Sequence, residues 1–259
     1  MKKAAAIIIT VLYWTASYAQ IIPPGLGATR WASWFALGIQ QNLNSSPGKG
    51  WESSTYIGFA RMSHPNDNNL VAKPGVFILN QEFKNKFDKN WEYSLAASYR
   101  RQNEYSDDPP YEQEDPSFKQ EFRIYARLSY IFKTHFLEIS PTLRQEVQKY
   151  YTPDFKPPPE NLRLRSRFRL KFSVPLTANK VHRVLLFSEQ LASASFRTDP
   201  KRWTPFGYKD SRFSLYYSLS PKNQPWVVNI GYMNNLIGKY KPTAAHYLGL
   251  DLIWKNPFQ

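Results

Sequence analysis

The chain has 259 residues, with 34 Lys and Arg against 20 Asp and Glu, 4 His and no Cys, for a formal net charge of +14. That length fits one large β domain, and 42% hydrophobic residues exclude a disordered chain. The lack of Cys removes disulfides, zinc ribbons, haem attachment and thiol nucleophiles from consideration.

Lys2 and Lys3 precede an apolar stretch from Ala4 to Trp14, and Ser17-Tyr18-Ala19 supplies the small residues of a cleavage site. This is the three-part pattern of a secretory signal peptide. The apolar stretch falls short of the roughly 20 residues a transmembrane helix needs. Residues 1–19 are therefore expected to be removed before Gln20, leaving 20–259 as the folded unit of an exported protein. No later apolar run reaches helix-spanning length. A mean hydropathy of −0.54 still admits a membrane barrel, because such a barrel hides its lipid-facing residues in alternation.

Period-2 alternation dominates the rest of the chain. In order, the runs are Trp31–Gln41, Trp51–Met62, Val71–Phe83, Trp91–Arg101, Phe118–Phe132, Phe136–Tyr151, Asn161–Val174, Val181–Ala192, Lys209–Leu219, Trp226–Asn234 and His246–Trp254. In Asn161–Val174, Arg163, Arg165, Arg167, Arg169 and Lys171 share one parity, while Leu162, Leu164, Phe168, Leu170 and Phe172 share the other. A helix would scatter those cations around its circumference; a strand puts them on one face. Most runs match the roughly 9–11 residues of a tilted membrane-spanning strand and exceed the usual globular strand of about 5–6.

The expected fold is thus all-β, an antiparallel transmembrane β-barrel. Bacterial single-chain barrels have even strand numbers, so the eleven runs predict about twelve strands, the missing one lying near Ile21–Thr29 or within Val71–Phe83. If Trp31–Gln41 lies outside the wall, the number is ten. Short turns at 88–90, 133–135, 175–180 and 220–225 alternate with longer polar loops at 102–117, 152–160, 193–208 and 235–244. That alternation is the asymmetry between the two ends of an outer-membrane barrel. Trp31, Trp34, Trp51, Trp91, Trp226 and Trp254 fall near strand ends, where aromatic girdles sit. Pro141 inside a run predicts a bulge or a missing ladder bond.

The order of short motifs resembles an uncharacterised outer-membrane family, domain of unknown function 2490. They are Trp34-Phe35-Ala36-Leu37, a Trp-opened second strand ending at Arg61, Leu143-Arg144-Gln145-Glu146, the Arg run from Asn161 to Leu170, Ser188-Glu189-Gln190, Ser211-Arg212-Phe213 and Gly231-Tyr232-Met233. The resemblance implies an outer-membrane barrel in contact with outer-membrane lipids. It implies no activity.

Charge facing lipid near the midplane costs about 2–4 kcal/mol per residue, so the charged face is expected to point into the lumen. That face carries Arg123, Arg127, Arg144, Arg163, Arg165, Arg167, Arg169, Lys171 and Arg212, with Glu121, Glu138, Glu146 and Glu189 as acidic partners. Glu138 and Glu146 precede the Arg run by one strand, within reach of cross-strand pairing. Two readings follow: an interior ion-pair network that stiffens a structural barrel, or a basic, porin-like lumen that favours anionic solutes or lipid headgroups. No nucleotide loop, metal spacing or nucleophile elbow is present, so no cofactor and no catalytic residue is assigned. The alternative is a membrane-embedded lipid-modifying hydrolase pairing Ser188 or Ser211 with His182 or His246. Export and inward-pointing cations argue against nucleic acid as a partner.

Overall fold

The computed structural model describes residues 25–26, 29–46 and 49–258. The expected signal peptide lies outside the described residues. Thirteen strands form: β1 (Trp31–Ser46), β2 (Lys49–Met62), β3 (Lys73–Lys86), β4 (Trp91–Tyr105), β5 (Gln113–Tyr130), β6 (Phe132–Lys133), β7 (Glu138–Tyr151), β8 (Glu160–Pro175), β9 (His182–Thr198), β10 (Lys201–Trp203), β11 (Gly207–Leu219), β12 (Trp226–Ile237) and β13 (Thr243–Lys255). Each of the eleven alternating runs becomes one long strand. The short β6 and β10 pair beside β7 and β9 and stand outside the ring.

The wall is a closed ring of eleven strands, in the order β1, β2, β3, β4, β5, β7, β8, β9, β11, β12, β13 and back to β1. Among the described residues no twelfth wall strand occurs. Val71–Phe83 yields β3 alone, and Gly25, Leu26 and Thr29 are not in a strand. Nor does Trp31–Gln41 leave the wall to make ten. Ten of the ring's junctions are antiparallel, but the strand number is odd, so the first and last strands run the same way. β1 and β13 accordingly close the barrel in parallel, from Trp31↔His246 to Gln40↔Lys255. The barrel is mixed rather than purely antiparallel, and parity is where the sequence rule misleads.

The connections 63–72, 106–112, 152–159, 199–206 and 238–242 meet at one end, the loop end. Those at 87–90, 131–137, 176–181 and 220–225 meet at the other, the turn end. The difference in length is smaller than expected because β4, β5 and β9 run on into stretches read as loop. Pro141 sits where the β5 ladder stops at Thr142 and β6 takes over at Ile139, which is the missing ladder bond.

Alternation sorts the side chains into two environments. Every wall strand exposes at least one large apolar residue outward, among them Leu37, Phe59, Leu79, Leu95, Ile124, Leu143, Phe168, Leu186, Leu215, Ile230 and Leu252. The inward residues are mostly buried and polar on β5, β7, β8 and β9. In the loop-end half of β13, β1, β2 and β3 they are apolar, with Ala32, Trp34, Ala60, Met62, Val76, Ile78 and Tyr247 packed around Leu26. Trp34 therefore belongs to the lumen and not to a girdle: it is 2% exposed, and its indole Nε1 donates to Asp251 at 3.2 Å. A Cβ on Gly58 would lie 2.2 Å from its ring, so that position has to be glycine.

The segment before β1 enters the lumen at the loop end. Leu26 N donates to the Tyr247 hydroxyl at 3.0 Å, and Arg100 Nη2 donates to Gly25 O at 2.6 Å. Gly25 and Leu26 form a strap that packs with the apolar cluster at the loop end.

Leu37 and Leu252 face outward opposite each other across the parallel seam. Neighbouring strands lie about 4.8 Å apart, inside the roughly 4.4–6.8 Å window for a disulfide. Leu37→Cys combined with Leu252→Cys should oxidise to an intramolecular cross-link, seen as a mobility shift on a non-reducing gel. Leu37→Cys with Leu248→Cys, four residues out of register, should not. Failure of the in-register pair to cross-link would refute the parallel closure.

Candidate functional site: the charged lumen

All nine cations and four carboxylates expected on the polar face lie on the inward parity of their strands, and five of those cations join ion pairs. Glu146 on β7 is the centre. Its buried carboxylate has Arg144 Nε at 2.7 Å, Arg167 Nε at 2.5 Å and Arg123 Nε at 3.4 Å, and it accepts from Gln148 Nε2 at 2.6 Å. Arg144 and Arg167 make these approaches as ion contacts, without in-line hydrogen-bond geometry at Nε.

From this centre an alternating chain of charges crosses six strands. Arg100 on β4 lies 3.8 Å from Glu121, which also holds Arg123 on its own strand. Arg123 reaches Glu146, Glu146 reaches Arg167, and Arg167 Nη1 reaches Glu189 on β9 at 3.2 Å. Glu189 lies 3.6 Å from Arg212 on β11, which pairs with Asp210 at 3.1 Å. Arg127 stands apart with Glu82 on β3, at 3.2 Å.

The Arg ladder on β8 does not pair as its register suggests. Arg165 lies opposite Glu146, and Arg169 lies opposite Glu189. Both carboxylates instead turn diagonally to Arg167, between them. Among the described residues, Arg163, Arg165, Arg169 and Lys171 have no carboxylate within 4 Å. Arg163 donates to Ser195 at 3.1 Å and lies over the Tyr150 ring. The Nε atoms of Arg165 and Arg169 are buried without a hydrogen-bond partner. Glu138 pairs with Lys133 on β6 at 3.8 Å rather than with the ladder.

Sequence reasoning missed Arg100, Glu82, Asp210 and the tyrosines that complete the interior. Each lay on the inward parity of a run already recognised, so extending the parity argument to β3, β4 and the start of β11 would have found them. The Tyr125 hydroxyl lies 3.1 Å from both Asn80 and Glu82, and the Tyr150 hydroxyl donates to Gln148 at 2.5 Å.

Below the chain of charges, toward the turn end, the lumen opens into a chamber of about 60 Å³. Its walls include Glu52, Glu82, Lys84, Glu92 and Arg127 on one side and Ser140, Thr142, Arg169 and Lys171 on the other.

The serine–histidine pairs considered for hydrolysis are not assembled. His182 Nδ1 lies 2.5 Å from the Tyr217 hydroxyl, and His246 Nδ1 lies 2.6 Å from the Tyr232 hydroxyl. Ser211 donates to Gln190 at 2.6 Å. No group of three or more potential metal ligands occurs among the described residues. No family profile, curated protein or solved structure matches the chain.

Removing one member of a buried ion pair strands the other charge, at a cost of about 3–5 kcal/mol. Glu146→Gln should therefore lower the unfolding free energy, read from the urea midpoint and slope, by an amount in that range. Glu160→Gln, which breaks an exposed pair with Arg197, should cost under about 1 kcal/mol. Equal midpoints for the two variants would remove Glu146 from the centre of the network.

Proposed function

We propose that the protein is an outer-membrane β-barrel with a sealed interior, a structural barrel and not an open diffusion pore. The observation that carries this reading is the division of the wall into an apolar outer face on every strand and an ionic inner face. In water that arrangement is inverted; in a bilayer it is what a barrel requires. Several details support it. Trp51, Trp91 and Trp254 are exposed at the turn end, with Trp91 against Tyr130 at 4.9 Å between ring centres, where an aromatic girdle would meet headgroups. Some outward polar side chains bond laterally, as Ser166 does to Gln145 at 2.6 Å and Gln81 to Ser53 at 2.8 Å, which spares them an unpaired position in hydrocarbon. The signal-peptide pattern gives the route of export, and the resemblance to domain of unknown function 2490 points to the same membrane.

The strap at the loop end and the chain of charges at mid-height support a sealed interior. An eight-stranded barrel is filled by side chains, while barrels of about sixteen strands leave an aqueous channel. This ring lies nearer the first case. The reading is tested in planar bilayers and by labelling. Reconstituted protein should show no steady single-channel conductance. Phe168→Cys should react with a lipid-soluble maleimide, and Arg165→Cys should react with neither that reagent nor a water-soluble one in the folded barrel. A folded monomer stable in buffer without detergent would end the membrane reading, and a stable open conductance would end the sealed one.

A further inference from the structure

The turn-end chamber has a wall built of donors. β7 and β8 pair so that Ser140 lies opposite Lys171 and Thr142 opposite Arg169. All four line the cavity, presenting an ammonium, a guanidinium and two hydroxyls, of which that of Thr142 shares a 2.9 Å hydrogen bond with the Ser129 hydroxyl. Four carboxylates also line the chamber, Glu52, Glu82 and Glu92 across it and Glu138 beside Ser140. Among the described residues Glu92 has no cation within 4 Å, Arg169 and Lys171 included, and the other three are engaged by other cations. Glu82 holds Arg127 and accepts from Ser94 at 2.5 Å and Tyr125 at 3.1 Å. Glu52 lies 2.7 Å from Lys84, and Glu138 is drawn to Lys133. Lys171 is only 8% exposed, and Arg169 Nε is buried without an acceptor. Among the described residues neither cation has a carboxylate within ion-pair distance. A buried cation demands a counter-charge or hydrogen-bonding partners.

We propose that this chamber binds one small oxyanion, a phosphate or carboxylate group, on the wall formed by Arg169, Lys171, Ser140 and Thr142. The planar guanidinium fits two oxygens at once and the ammonium adds a point charge, while the hydroxyls donate to what remains. The volume of about 60 Å³ is several times the roughly 10–15 Å³ that one water needs. That suits an ion of phosphate size and excludes an acyl chain or an oligosaccharide. Arg165, one step along the ladder, does not line the cavity. The site is a property of the folded barrel and does not depend on which membrane holds it or on whether the lumen conducts.

Calorimetric titration of inorganic phosphate and of acetate into the folded protein in an uncharged detergent tests the proposal. Saturable binding at one site is expected for at least one of them. Arg169→Gln and Lys171→Gln should each weaken it about tenfold, the loss of one charge-assisted contact, and Arg165→Gln should leave it unchanged. A heat-modifiable gel band confirms folding of each variant. Arg169→Lys, which keeps the charge and loses the fork, provides an intermediate loss should a Gln variant fail to fold. Competition by a short-chain phosphatidylglycerol would assign the anion to a lipid headgroup, and lack of competition to a free ion; both uphold the site. No saturable binding of either anion to the wild type, or equal weakening by Arg165→Gln, would overturn it.

Discussion

The interior of this barrel depends on one carboxylate shared by three arginines. Glu146 is buried against Arg123, Arg144 and Arg167, and burial of any of these charges alone would cost several kcal/mol. Together they form the middle of a chain that ties β4, β5, β7, β8, β9 and β11 across the lumen. The chain also explains why the outer face can be largely apolar. With the charges satisfied inward, no strand on that arc has a reason to turn, and a one-residue slip of β8 would expose its whole ladder outward.

The remaining arc, β12, β13, β1, β2 and β3, solves the same filling problem by other means. There the wall thins to glycine so that large rings can lie flat against it. Tyr216 crosses the paired Gly231 and Gly249, where a Cβ would fall 2.5 Å and 2.7 Å from its atoms, and Trp34 lies on Gly58. Overpacking such a contact costs about 1–3 kcal/mol. The parallel seam runs through this arc. Parallel pairing is slightly weaker per residue than antiparallel, and here the seam is reinforced from inside by the bond from Trp34 on β1 to Asp251 on β13.

Much of this was legible in the sequence, and what was not has identifiable causes. Period-2 alternation located all eleven wall strands, because each has one apolar and one polar face. It also fixed which parity faces inward, since the Arg run on β8 admits one answer. The strand number went wrong when a rule about parity was set against the direct count. Pair identities were not legible, because long side chains reach diagonally: Glu146 and Glu189 both pass over their register partners to meet Arg167. Trp34 was read as interfacial from its position near a strand end, although its even parity, shared with Ala32 and Ala36, already placed it inside. The chamber could not be read at all, since it arises where charged partners are drawn away from one another.

The odd ring has a consequence for how the chain could be rearranged. In an even-stranded barrel the first and last strands end at the same rim, so a short linker can join them and new termini can be cut elsewhere. Here Trp31 lies at the loop end and Lys255 at the turn end, separated along the seam by ten paired residues, about 30 Å at the rise of a strand. A linker joining them would have to climb the full height of the wall, outside along the apolar face or inside past the chain of charges. The fold therefore resists circular permutation, and its chain order is fixed by geometry as well as by descent.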